Sequence, residues 1–258
     1  MTGQGEKFTG AIPLGRVIDK ADEYFSRNDY AGAEKHFLYW LEEAEEFGDD
    51  RGRFAILNEL VGLYRKTAKK DEALKTIDAL TSLVAAAGLT EESAAGTAYV
   101  NIGTALKSFG MAKEALPYFR KAEKIYASTL KEGDGRLGGL YNNEALALVD
   151  LGEYEEAKDR YMKALSVMDK IEGGQAESAI TFLNLANLVE ATDGLEGGAE
   201  KIAEYLDKAR ALLDDERLPR DGYYAFVCEK CAPTFGYYGY FAYEAELNNR
   251  SENIYKRT

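Results

Sequence analysis

Two stretches of the chain, "YVNIGTALKSFGMAKEALPYFRKAEKIY" (99–126) and "YNNEALALVDLGEYEEAKDRYMKALSVM" (141–168), overlay without a gap at an offset of 42 residues. Gly103 falls on Ala145, Gly110 on Gly152, Ala115 on Ala157, Phe119 on Tyr161 and Ala122 on Ala164. The same register continues upstream through Val61, Ala73, Ile77 and Leu80, then 40 residues earlier through Ala21, Ala33, Phe37 and Trp40. A fifth unit places Ala186 and Ile202 in these roles around the longer turn "EATDGLEGGA". A chain that rewrites one pattern of small and large residues at this period must repeat one supersecondary unit.

Each unit predicts two helices, because its apolar residues recur every three or four positions. The short turns "SFGMA" and "DLGEY" make those helices antiparallel neighbours. A small residue at the crossing allows close approach, and the larger Phe119 or Tyr161 fills the space beside it. One such hairpin leaves its apolar face uncovered, so several must stack. The expectation is an all-α solenoid of about six antiparallel helix pairs. Composition agrees: 4 prolines in 258 residues, with 46% apolar content.

The G/A…Y/L…G…A…F/Y…A series resembles the tetratricopeptide repeat family, over roughly residues 15–258. The period of 42 exceeds the usual ~34 of that family. In that respect the chain looks like the repeats of kinesin light chains and related peptide-binding adaptors. The division expected is an N-terminal segment at 1–14 and one domain at 15–258, with 222–258 as a degenerate capping repeat.

The only two cysteines stand in "CEKCAPTFGYYGYFAYE" (228–244). The repeat register puts Cys228 on Tyr99 and Cys231 on Ile102, so both are expected in the core as small hydrophobes. A structural zinc site needs about four ligands, and the chain has a single histidine, His36. His36 is expected on an outward, exposed position. Pro233 is expected to kink or shorten its helix. Nine of the residues from Tyr223 to Tyr243 are aromatic. They are read as part of a cap, with a patch for a partner or for dimerisation through the C-terminal end as the alternative. Polar Glu244, Asn248 and Ser251 stand where the family has Ala, Phe and Ala.

The family resemblance implies that first helices line a concave surface that receives an extended segment. Two residues before each crossing position come Asp19, Glu59, Asn101, Asn143, Asn184 and Lys230. Three asparagines in register are expected to form a row, each amide offering a donor and an acceptor to a peptide backbone. Similar rows hold extended ligands in peptide-binding members of the family. Asn142, Leu146, Asn187, Thr104, Lys107, Asn58, Arg65 and Lys66 complete the expected ligand face.

Net charge is −13, which argues against general nucleic-acid binding. No apolar run reaches the ~18 residues of a membrane span, and the start lacks a secretory core. A cytoplasmic location is the expectation. Neither a phosphate-cradling glycine motif nor a nucleophile–histidine pattern is present. The reading is a non-catalytic scaffold without cofactor or metal, binding a protein or peptide segment. The alternatives are a peptide-responsive receptor that acts on a separate output partner, or a self-assembling dimeric module. Only about 14 residues precede the first repeat, which disfavours a self-contained regulator.

Overall fold

The computed structural model describes residues 10–131 and 133–257; residues 1–9 of the expected N-terminal segment lie outside them. Among the described residues there are no strands. The order is α1 (Leu14–Ser26), α2 (Tyr30–Phe47), α3 (Asp50–Lys66), α4 (Lys70–Ala86), α5 (Ser93–Ser108), α6 (Ala112–Thr129), α7 (Gly135–Asp150), α8 (Tyr154–Met168), α9 (Gln175–Gly197), α10 (Ala199–Leu213), α11 (Gly222–Tyr237) and α12 (Phe241–Tyr255). Successive helices pair into six hairpins. These gather into two compact units, Met1–Thr129 and Leu130–Thr258. The pair α11/α12, expected as a degenerate capping repeat, lies in the second unit.

Helix ends follow their local sequence. Asp29, Asp49 and Asp221 each accept a hydrogen bond from a backbone N–H in the first turn of the helix that follows. These side chains satisfy donors that the helix itself leaves unpaired. Asp49 does double duty, since it also accepts from the Ile12 backbone N–H at 3.0 Å and ties the approach to α1 onto α3.

Inside every hairpin one residue turns the chain through the left-handed region: Asn28, Ala68, Gly110, Gly152, Gly194 and Gly239. Their spacings of 40, 42, 42, 42 and 45 carry the repeat through all six pairs, with Gly194 breaking the helical conformation within α9. Ala68 (φ 55) is the costly member. A left-handed L-residue pays about 1–2 kcal/mol, whereas glycine gives up roughly 0.5–1 kcal/mol through its freer unfolded chain. Ala68 is exposed, so no packing is at stake. Ala68→Gly is therefore expected to stabilise by about 0.5–1 kcal/mol and raise Tm by about 1–4 °C. A lowered Tm in a thermal melt would show that the turn is not strained.

The crossing residues are buried as the register predicts. Ala21, Val61, Ala145 and Ala186 are fully enclosed, and Phe37, Ile77, Tyr161 and Ile202 on the second helices are buried as well. Cys228 and Cys231 are likewise buried in α11 as free thiols. Burial pushes both thiols above their ordinary range, which leaves them weak nucleophiles.

Two local expectations are corrected. Helix α11 is not shortened at Pro233 and continues to Tyr237. His36 is half-buried, not outward: its Nε2 lies 2.9 Å from the Val17 carbonyl oxygen and donates to it, joining α2 to α1. Aromatic rings of Tyr24, Phe37 and Trp40 surround it. The periodicity is that of an exposed position, but the bulk of those neighbours covers it.

Candidate functional site

In the first unit, the successive first helices α3 and α5 bring Asn58, Glu59, Gly62, Arg65 and Asn101 around one cleft of about 210 Å³. Asn101 Nδ2 donates to Asn58 Oδ1 at 2.9 Å across the two helices. That bond uses one donor and one acceptor. The Asn101 oxygen and the Asn58 amino group then form a donor–acceptor edge with the chemistry of a peptide group. Three residues expected on this face, Asn58, Arg65 and Asn101, are thus brought together.

Others in this unit are less central. Thr104 is half-exposed and its hydroxyl donates to the Val100 carbonyl. Lys107 is half-buried. Lys66 turns away from the cleft, with its ammonium 5.1 Å from the centroid of the Tyr30 ring.

Glu59 shares the cleft, and burial, followed by the negative charge of Asp22, pushes its carboxyl above the ordinary glutamate range. A carboxyl whose folded pKa exceeds its unfolded one opposes folding when ionised, and the penalty disappears as pH falls through the raised value. Glu59→Gln is accordingly expected to stabilise the protein at pH 7, with the gain shrinking on acidification. Denaturation at a series of pH values checks this, and a gain that grows on acidification would reverse the sign.

In the second unit the residues come from α7, α9 and α11. Asn143 is half-exposed and donates to the Gly139 carbonyl one turn back, at 2.8 Å. Leu146 and Asn184 are half-exposed on α7 and α9. Asn187 accepts from the Tyr238 hydroxyl at 3.0 Å, and the Lys230 ammonium lies 5.7 Å from the centroid of the Phe226 ring. Of the residues expected to form a row, Asn101 belongs to the first unit and Asn143 and Asn184 to the second.

Asn142 is corrected. It is only 6% exposed and donates to Thr181 Oγ1 at 2.8 Å. It joins α7 to α9 inside the core and is not a ligand-facing residue, because α7 is covered on two sides.

The aromatic run resolves into three groups. Tyr224, Phe235 and Tyr243 are buried; Tyr224 donates to the Leu213 carbonyl at 3.0 Å and Tyr243 to Asp214 at 2.9 Å. Arg250 joins this knot through the Tyr224 hydroxyl and an ion pair with Asp214, both at 2.8 Å. Tyr223, Tyr237 and Tyr238 bond instead to α9, through Glu177 for the first and Glu190 for the other two. Phe226 and Phe241 remain exposed, at 48% and 69%. Ser251, which stands where the family has Ala, is buried.

One charged pair was not singled out from the sequence. Glu144 on α7 is completely buried, and Arg160 Nε of α8 stands 3.2 Å from its Oε2. The signal was available, because Glu144 occupies the register of Ile102, a core position. Among the described residues, no group of three or more His, Cys, Asp or Glu is placed to hold a metal. None of the helices is long and apolar enough to cross a membrane.

The tetratricopeptide repeat model matches residues 96–129 and 139–167, which are the pairs α5/α6 and α7/α8. The solved structure of BtubC (BKLC) from P. vanneervenii is similar, at 21% identity and a TM-score of 0.69, over 78% of this chain and 81% of that one. A Podosopora anserina putative kinesin light chain with nearly identical TPR-like repeats gives 16% identity and a TM-score of 0.55, over 80% and 96%. A Rap protein complexed with Competence and Sporulation Factor gives 15% and 0.54, over 93% and 74%. No curated protein sequence matches the chain. Two helix pairs, α5/α6 and α7/α8, thus match the tetratricopeptide repeat model, and the other pairs share their helix–turn–helix form.

Proposed function

We propose that the protein is a non-catalytic scaffold that takes an extended peptide or protein segment on the polar faces of its first helices. The observation that carries this reading is the amide pair Asn58–Asn101 in the cleft between α3 and α5. Its donor–acceptor edge suits a peptide backbone without dictating the ligand's side chains. Arg65 and Glu59 line the same cleft, so it offers one basic and one acidic group beside the amide pair. In the second unit Asn143, Asn184 and Asn187 add further amides, with Leu146 an apolar neighbour. A Rap protein of similar fold has been solved complexed with Competence and Sporulation Factor, so the architecture is compatible with holding a bound factor. Self-association through the C-terminal end is the second reading, since Tyr223, Phe226, Tyr237 and Phe241 are exposed there, although the two tyrosine hydroxyls bond to α9.

The test compares wild type with an Asn58→Ala/Asn101→Ala variant of equal thermal stability in a pull-down from the native host, read by quantitative mass spectrometry. Losing two ligand hydrogen bonds at about 0.5–1.5 kcal/mol each corresponds to a loss of roughly 5- to 150-fold in affinity. Partners held by wild type and lost by the variant support the reading. Equal recovery by both overturns this site, and a fall in stability alone makes the amides structural.

A further inference from the structure

A larger cleft, of about 660 Å³, lies elsewhere in the first unit, between the second helices α4 and α6. It shares no residue with the Asn58–Asn101 site. Its origin is local. Helices α2 and α3 are joined by two residues, whereas α4 and α5 are joined through a 3-10 turn at Leu89–Glu91. Leu89 is buried there, and Thr90 lines the cleft. The volume falls within the ~300–1,000 Å³ of sites that hold metabolite-sized ligands.

The walls have a definite chemistry. Tyr99, Ile125 and Ala85 supply apolar surface. Lys121 and Lys124, one helical turn apart on α6, supply two cations, and the described lining residues include no carboxylate. That local sign is the reverse of the chain's net charge of −13. The Lys121 ammonium is placed by two ring faces, 5.5 Å from the Tyr99 centroid and 5.3 Å from that of Tyr118. Thr81 and Ser128 already donate their hydroxyl protons to the Ile77 and Ile125 carbonyls, each at 2.9 Å. Both therefore present lone pairs to the cleft, as acceptors for a ligand N–H or O–H.

We propose that this cleft binds an organic monoanion of metabolite size. Its apolar body lies against Tyr99 and Ile125, and its carboxylate or sulfonate is held by Lys121 and Lys124. Charge-assisted bonds from the lysines set the preference for an anion, and the apolar walls supply the remaining affinity.

The experiment uses two fluorescent probes of similar shape, anionic 8-anilinonaphthalene-1-sulfonate and neutral N-phenyl-1-naphthylamine, titrated into the full chain. A single saturable site is expected for the anion. Lys121→Gln with Lys124→Gln should weaken the sulfonate by about tenfold or more, while the neutral dye changes by less than about twofold. Ala127→Phe, at an exposed lining position where a larger side chain leaves the core intact, should weaken both dyes. Circular dichroism melts of each variant confirm equal folding. The proposal is overturned if Ala127→Phe leaves sulfonate binding unchanged, if the lysine changes weaken both dyes alike, or if no saturable site exists.

Discussion

Arg160→Met is expected to destabilise the second unit by about 3–5 kcal/mol, more than any other single change considered for this chain. Glu144 is completely buried on α7, and the guanidinium of Arg160 stands 3.2 Å from its carboxylate. Removing the arginine leaves the carboxylate desolvated and short of this cation. Such a carboxyl takes up a proton more readily, so the deficit of the variant should shrink as pH falls. Glu144→Met/Arg160→Met should recover most of the loss, since apolar side chains of similar volume often serve as well as a buried pair. Chemical denaturation supplies the energies, and hydrogen exchange across 135–168 localises them. A single variant as stable as wild type would mean that Arg160 does not carry the charge of Glu144. The Tyr141 ring beside the guanidinium, 5.7 Å from its centroid, would then be the more important contact of Arg160.

The helix pairs, their turns and their crossing residues were legible because each depends on contacts within one hairpin. Spacing alone determines which residues meet across a turn of fixed length. That is why Gly103, Ala145 and Ala186 were located correctly, and why the cysteines could be assigned to the core from their register with Tyr99 and Ile102. Faces were harder. Asn142 and Asn143 differ by one position, about 100° around a helix, yet the first is enclosed between α7 and α9 while the second is half-exposed. A first helix covered on two sides has no wide polar face to read, and a one-residue choice then decides between core and surface. The partners of Tyr223, Tyr237 and Tyr238 were out of reach for another reason. They lie on α9, whose distance along the chain and altered turn at Gly194 set a pairing that no local pattern encodes. The cleft between α4 and α6 is lined largely by second helices, so a reading built on the faces of the first helices passes over it.

Gly103→Leu tests the repeat at a close helix crossing. Helices α5 and α6 approach so closely that a Cβ added at Gly103 would stand 2.6 Å from the Phe119 ring, and Phe119 is itself fully enclosed. Two effects compete. Leucine improves helix propensity over glycine by up to about 0.8 kcal/mol, while forcing extra carbons into a filled crossing costs about 1–3 kcal/mol. Leucine adds four carbons where even one overlaps the ring, so the steric effect wins and the expected net loss is about 1–3 kcal/mol. Gly103→Leu/Phe119→Ala separates the two, because removing the ring opens the space that leucine needs. Part of the lost stability should return, and the double variant should be more stable than the two single losses would add to. In the fourth unit the same register holds Ala145 and Tyr161, and both are buried. Denaturation of the four proteins measures the coupling, and hydrogen exchange over 93–129 shows where it acts. Melting unchanged by Gly103→Leu would mean that α6 yields freely, and the close crossing would then be a consequence of the glycine rather than a requirement of the fold.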